Sequence, residues 1–197
     1  MLEFKLLGIK ITVSFWFLAA ISFFLLYERA ALFFYFAAPI LVHELGHIAA
    51  LYLCGGKISK IDLRIFGIDM CPNTQRLSYP REIFVIMAGI ICNLLTAGLL
   101  FWQRGQTMRS MLLIAVNLAV AGFNVLPIGN LDGGALLRLI GERLGESRKM
   151  QIIARGVSFA LLLPLFVVAF YILLKPERNY TLLIVCVYLL FVIVIDD

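Results

Sequence analysis

The chain has 197 residues, of which 62% are hydrophobic and 15% are charged, and its formal net charge is +5. The apolar share lies well above the roughly 45–50% typical of soluble domains, so the composition excludes an ordinary soluble protein and indicates residence in the lipid bilayer. The basic residues are spread over short loops beside apolar segments, which argues against a nucleic-acid-binding surface.

The apolar segments predict an all-α membrane protein with about six transmembrane helices, because one span needs about 20 apolar residues. The candidate spans are residues 11–27, 30–54, 83–102, 110–126, 152–174 and 180–195. The first span lacks a small-residue cleavage site after it, so we expect a retained helix and not a signal peptide. Because the connections are short, residues 1–197 are predicted to form a single membrane domain.

Two segments outside the spans have features of β-strands. Residues 3–13 contain two short, partly alternating stretches separated by Gly8, a pattern that favours a hairpin. Residues 58–66 alternate with the period of a half-buried strand. The two sides of that strand are Ile61, Leu63 and Ile65, and Lys60, Asp62 and Arg64. We expect a small membrane-associated β element whose exposed edge could accept an extended peptide, with an ordinary loop cover as the equally weighted alternative.

The basic residues also predict the orientation of the chain. If the N-terminus is cytoplasmic and six spans follow, 12 of the 17 Lys and Arg residues fall in cytoplasmic segments. Cytoplasmic loops of membrane proteins carry such an excess. The pattern therefore predicts a multi-pass protein with both termini and the β element on the cytoplasmic side.

The sequence His43-Glu44-Leu45-Gly46-His47 lies near the end of the second span. In a helix, residues four apart share one face and lie about 6 Å apart along the axis, so the two imidazoles can bind one metal ion. Glu44 is placed to take a proton from an activated water without being a ligand. This is the arrangement of a zinc hydrolase with a carboxylate base, although the motif alone gives many false positives.

Three features of the chain strengthen this interpretation. Its only two histidines both belong to the motif. Glu44 lies within an apolar span, where an ionisable side chain costs at least about 2.5–3.5 kcal/mol and therefore needs a partner or a task. Pro39 precedes His43 by four residues and favours a distorted turn at the motif, with an ordinary membrane-helix proline as the equally weighted alternative.

A catalytic zinc usually has three protein ligands, so a third ligand is expected outside the histidine motif. With no third histidine in the chain, a carboxylate is the leading candidate. Asp132 is flanked by apolar spans, and the glycines after it and Pro127 before it indicate irregular backbone at membrane depth, which requires burial in protein or a wet cavity. We predict Asp132 as the third ligand, against the alternative of an ordinary loop cap.

These residues resemble the motifs of the site-2 protease family of intramembrane zinc metalloproteases, peptidase family M50. His43 to His47 is similar to the first family motif, and Asn124, Pro127, Asp132 and Gly133 fit the second, whose aspartate is the third zinc ligand. Ala88, Gly89 and Asn93 resemble a further pattern on the intervening helix. Two positions depart from the family pattern by lacking a frequent proline. They are Ile90 and Asn130.

The resemblance implies a zinc metalloendopeptidase with one Zn²⁺ per chain, bound by His43, His47 and Asp132, with Glu44 as the base. It implies cleavage of a membrane-embedded or membrane-tethered protein near its cytoplasmic boundary, in regulated intramembrane proteolysis. The compact chain resembles the sporulation branch, which processes a pro-sigma factor. A homo-oligomer and a regulatory membrane partner both stay open.

Asn124 and Asn93 are candidates for an oxyanion donor or for holding the substrate, with interhelical hydrogen bonding as the alternative for each. Two other functions compete with proteolysis, a membrane metal transporter and a catalytically inactive metal-binding scaffold. Glu44 argues against transport, because a transporter has no particular need for a carboxylate between the histidines. The complete ligand set argues against lost activity.

Overall fold

The structure, a computed structural model, describes residues 2–6, 9–27, 30–64, 67–72, 77–103, 107–128, 131–174 and 181–195. It is mostly helical, with one small four-stranded sheet, as expected. The strands are β1 (Leu2–Leu6), β2 (Ile9–Val13), β3 (Ile58–Arg64) and β4 (Gly67–Pro72). The helices are α1 (Phe15–Tyr27), α2 (Ala30–Leu53), α3 (Tyr79–Trp102), α4 (Met108–Asn124), α5 (Asp132–Leu144), α6 (Ser147–Leu173) and α7 (Thr181–Ile195).

Among the residues that the structure describes, three helices are long and apolar enough to cross a membrane, within α2, α3 and α6. They correspond to the predicted spans at 30–54, 83–102 and 152–174, and they make the chain an integral membrane protein. Helix α4 is apolar but has only 17 residues. The predicted first span began too early, because residues 11–13 belong to β2 and α1 starts at Phe15. The count of six spans stays a prediction.

Several predicted features fall on residues that the structure does not describe. These are Gly8, Ile65 and Asn130. The structure divides into two compact units, Met1–Ala121 and Gly122–Asp197, which are described separately below. The prediction of one domain for the whole chain stays a prediction.

The sheet belongs to the first unit and has the strand order β1-β2-β3-β4. Strands β1 and β2 form the predicted hairpin, β2 and β3 pair in parallel, and β3 pairs with β4 in antiparallel fashion. The β-branched residues of Ile9–Val13 favour this extended conformation over an early helix start. Strands β1 and β4 are therefore the two edges of the sheet.

Asp62 is an exception to the predicted half-buried pattern of β3, because it lies on the polar side of the alternation yet is only 8% exposed. It sits opposite the buried Thr12 in the parallel register of β2 and β3. The ammonium of Lys60 lies 2.6 Å from Asp62 Oδ2 and offsets the cost of burying the carboxylate. The burial of Asp62 thus depends on its ion pair and on the neighbouring strand β2. The alternation of polar and apolar residues along β3 cannot reveal either of them.

Helices α2 and α3 pack closely in the first unit, and small residues set their separation. A Cβ added to Gly46 of α2 would lie 2.8 Å from Cys92 Sγ and 2.9 Å from the carbonyl oxygen of Ala88, both on α3. Small residues at such contacts let membrane helices approach, since lipid supplies no hydrophobic force between them. Helix α3 runs unbroken through Ile90, one of the two positions that lack the proline frequent in the family pattern.

The second unit is organised around α6, which packs against α5 and α7. Its buried core consists of Ile128, from the turn after α4, with Leu162 of α6 and Leu189 and Ile193 of α7. Helix α5 was absent from the predicted elements. It ends in a left-handed glycine, Gly145, with φ of 69°, and the amides of residues 145 and 146 donate to carbonyls of the last helical turn.

The contact between α2 and α3 predicts a large effect of one added methyl group. We expect Gly46→Ala to destabilise the protein by about 1–3 kcal/mol, the usual cost of overpacking, because the backbone carbonyl of Ala88 cannot move aside. Gly98→Ala is the control, since nothing lies within 4 Å of a Cβ at Gly98 of α3. The thermal unfolding temperature of the purified chain in detergent should fall by several degrees for Gly46→Ala only. Equal unfolding temperatures would contradict the close approach.

Candidate metal centre

The two histidines of α2 face each other on one side of the helix. His43 Nε2 and His47 Nε2 are 3.1 Å apart, and the ring planes meet at 83° with centroids separated by 4.7 Å. His43 is only 4% exposed, and His47 is half-buried. The spacing of four residues therefore brings two nitrogen donors to one point, as predicted.

His47 is oriented by a hydrogen bond to the neighbouring helix. Its Nδ1 lies 2.8 Å from the backbone carbonyl oxygen of Val85 on α3. Because a carbonyl can only accept, Nδ1 carries the proton and donates it. In a neutral ring the lone pair is then left on Nε2, the atom that faces His43. Metal-binding histidines characteristically use their second nitrogen in this way.

Gly89 of α3 leaves open the space in front of both imidazoles. An added Cβ would collide with His47 Nε2 and would lie 2.8 Å from His43 Nε2, closer than real Cβ contacts allow. Any side chain at this position would therefore displace the rings from their observed positions. The absence of a side chain at Gly89 keeps the two donor atoms accessible.

The donor set fits zinc. Zn–N distances of about 2.0–2.1 Å at a tetrahedral angle require the two nitrogens to lie roughly 3.3–3.4 Å apart. The observed Nε2 separation of 3.1 Å is within a few tenths of an ångström of that value. Glu44 follows His43 directly and is half-buried, so a carboxylate adjoins the pair in the interior of an apolar helix.

Asp132 belongs to the second unit, where it is the first residue of α5. The turn before it is held by the buried Ile128 and by Ser158 of α6, whose hydroxyl lies 2.9 Å from the carbonyl oxygen of Pro127. Gly133 is required for this turn, because an added Cβ would collide with the carbonyl oxygen of Val125. Within the predicted irregular segment, the described residues 125–128 are thus anchored to α6 and to the core of the second unit.

The two asparagines of the prediction occupy different environments. Asn93 is fully buried on α3, and neither its amide nitrogen nor its oxygen has a hydrogen-bond partner among the described residues. Its predicted alternative, a bond between helices, is therefore not seen. Asn124 ends α4 in the second unit and is half-buried.

Two contributors to the centre were not assigned their roles from the sequence. The carbonyl of Val85 and the missing side chain of Gly89 lie at positions i and i+4 on α3, and Asn93 follows at i+8, so all three share one face of the helix. That spacing was available in the sequence. The sequence alone does not indicate that this face of α3 lies against the histidines.

Comparisons with known proteins relate the chain to one family. Residues 101–165 match the model of peptidase family M50. A protein of Methanocaldococcus jannaschii described as a zinc metalloprotease is 31% identical over 147 residues, which is 70% of this chain and 42% of that protein. The chain is therefore similar to members of peptidase family M50. The predicted family resemblance is confirmed, whereas the sporulation branch stays a prediction.

The fold of this chain is also found in a solved structure. It matches the site-2 protease from Methanocaldococcus jannaschii with a TM-score of 0.65 and 24% identity, covering 99% of this chain and 94% of that one. The chain spans less than half the length of the curated relative. The family-model match includes Asn124 to Gly133 but not the histidine motif of α2.

The open space at Gly89 predicts that metal binding is sensitive to one methyl group. We expect Gly89→Ala to weaken zinc binding by about 10–100-fold, the range found when groups that orient metal ligands are altered. Zinc per chain, measured by mass spectrometry of the metal after dialysis against a weak chelator, should fall sharply in this variant. Gly98→Ala on the same helix is the control and should keep its zinc. Full zinc content in Gly89→Ala would contradict this prediction, because it would mean that the imidazoles do not bind the metal in the space next to Gly89.

Proposed function

We propose that this chain is an intramembrane zinc metalloendopeptidase of the site-2 protease type, with one Zn²⁺ per chain. The observation that carries the proposal is the pair of Nε2 atoms 3.1 Å apart, adjoined by Glu44, inside an apolar helix long enough to span a membrane. The similarity to peptidase family M50 and the name of the relative, a zinc metalloprotease, support zinc as the metal.

His43, His47 and Asp132 are the proposed ligands. The first two offer imidazole nitrogens, and Asp132 offers an anionic oxygen in a chain that has no third histidine. Asp132 follows an anchored turn, and Gly133 lets the start of α5 lie close against the carbonyl oxygen of Val125, which supports a positioning role that an ordinary loop cap would not need. Three protein ligands leave one coordination position for the reaction.

The mechanism assigns each residue one task. Zinc, when bound, supplies Lewis-acid activation of water and of the peptide carbonyl. Glu44 takes a proton from the attacking water on a carboxylate oxygen and returns it to the departing nitrogen, so the proton count balances. Val85 keeps His47 in the tautomer that presents Nε2. Asn93, buried with an amide group that no described residue satisfies, is the proposed donor to the developing oxyanion or to the substrate backbone.

The proposed substrate is a membrane-embedded or membrane-tethered protein. Its backbone must be extended before cleavage, because helical carbonyls are engaged in internal hydrogen bonds. The edges of the sheet, β1 and β4, offer backbone groups on which an extended segment can align. Pro-sigma factor processing is one reaction of this class and belongs to the proposal only as an example.

The orientation of the chain completes the proposal. The excess of basic residues in alternate loops supports six spans with both termini in the cytoplasm and cleavage near the cytoplasmic boundary. Within the described residues, three helices meet the length and composition needed for a span, and the shorter α4 adds an apolar segment.

Glu44→Gln tests the role of the carboxylate. The amide cannot accept the proton, so we expect cleavage to fall by at least about 100-fold, the lower range for a lost general base, while zinc stays near one per chain. Cleavage is measured by co-expression with a panel of epitope-tagged single-span proteins and detection of shortened products. Loss of zinc in this variant would make Glu44 a ligand, and unchanged cleavage would remove it from the mechanism.

Asp132→Asn tests the third ligand. The amide keeps the shape of the side chain but removes its charge, so we expect both lower zinc content and greatly reduced cleavage. The matched control is Glu142→Gln at the other end of α5, which removes an exposed acidic charge from the same helix. Normal zinc and normal cleavage in Asp132→Asn would exclude the residue from the site while leaving the histidine pair untouched.

A further inference from the structure

Helix α5, which begins at Asp132, lacks the side-chain cap that usually fixes the start of a helix. The preceding residue, Leu131, occupies the N-cap position with φ of −72° and ψ of 158°, and its side chain makes no capping hydrogen bond. An aliphatic side chain has no oxygen that could accept from the first amides of the helix, so such a start is prone to fraying. The position of Asp132 therefore depends on contacts with the rest of the second unit.

One backbone hydrogen bond and one close contact connect the start of α5 to residues 125–128. The amide of Leu131 donates to the carbonyl oxygen of Ile128 at 2.9 Å. Gly133 lies so close to the same segment that an added Cβ would collide with its backbone. Because Asp132 lies between Leu131 and Gly133, a displacement of residues 125–128 is passed on to its carboxylate.

Ser158 of α6 holds this segment from the neighbouring helix. Its Oγ lies 2.9 Å from the carbonyl oxygen of Pro127 and 2.7 Å from that of Ala154, so the single hydroxyl proton is shared between two acceptors. A bond to a carbonyl one turn earlier is common for a serine in any helix and connects nothing else. The bond to Pro127 joins two segments 31 positions apart, and it lies in the interior because Ser158 is only 1% exposed.

We propose that Ser158 is a positioning residue for the metal centre, which raises its zinc affinity by fixing Asp132 through residues 125–128. The inference rests on the proposed function, because it takes Asp132 as the third ligand. Ser158 itself does not touch the metal. A ligand must be held within about 0.5 Å of its productive position, and changes to groups that orient ligands cost about 10–100-fold in metal affinity.

The test measures the zinc affinity of the purified full chain in detergent by competition with a chelator of known affinity, so it does not depend on cleavage. Ser158→Ala removes the hydroxyl, and we expect it to weaken zinc binding about tenfold. Ser158→Thr keeps the hydroxyl and should recover most of that loss. In the Asp132→Asn background, Ser158→Ala should weaken binding by no more than about twofold, because residues that act through one another are not additive.

Cys186→Ala is the matched control for a purely structural effect. Cys186 is fully buried on α7 in the same unit, so its truncation should lower the unfolding temperature, as Ser158→Ala does, but leave the zinc affinity unchanged. Wild-type affinity in Ser158→Ala would overturn the inference. An equal loss of affinity in Cys186→Ala, or a full tenfold further loss in the Asp132→Asn background, would overturn it as well.

Two further comparisons keep the outcomes separate. If Ser158→Ala does not fold, Ser158→Cys decides by the same measurements, because its thiol is a weak donor in a side chain of similar shape. An unchanged zinc affinity in Asp132→Asn alone would overturn the proposed ligand set and this inference with it. Weakened binding in Asp132→Asn beside wild-type affinity in Ser158→Ala would overturn this inference only.

Discussion

The close approach of α2 and α3 is the constraint on which the candidate centre depends. A histidine pair can bind metal well only if its rings are held, and the ring of His47 is held by a carbonyl of the other helix at 2.8 Å. That distance requires Gly46 at the helix contact and Gly89 in front of the rings. The protein therefore orients its donors mainly by backbone position, which is less variable than a second layer of side chains.

The second unit solves a different problem, that of holding irregular backbone in an apolar environment. The turn before α5 would otherwise leave carbonyl groups without partners. Ser158 supplies one hydrogen bond to this turn, and Ile128 ties it to the core of α6 and α7. Ser158 therefore has a structural role inside the helical unit. The anchored turn in turn determines where α5 begins, and thus the position of Asp132.

The features that the sequence predicted correctly are local ones. The four-residue spacing of His43 and His47 is sufficient to place both on one helical face, and the residues around Gly8 were sufficient to predict the hairpin. Features that depend on a partner element were missed. Asp62 is buried because β2 runs parallel to it, and the role of Val85 lies in its backbone, which leaves no mark in the sequence. Helix α5 was missed because its apolar stripe is too short to look like a span.

The order of synthesis gives the helix contact a further consequence. Residues 54–78, about 25 in number, separate α2 from α3, so at roughly 5–20 residues per second α2 is made between about one and five seconds before its partner begins. During that interval α2 already carries the two imidazoles and Glu44, but α3 and its Val85 carbonyl have not yet been made. Helix α2 must therefore insert into lipid before α3 can contact its polar residues. The apolar length of Ala30–Leu53 offsets the free-energy cost of inserting those residues.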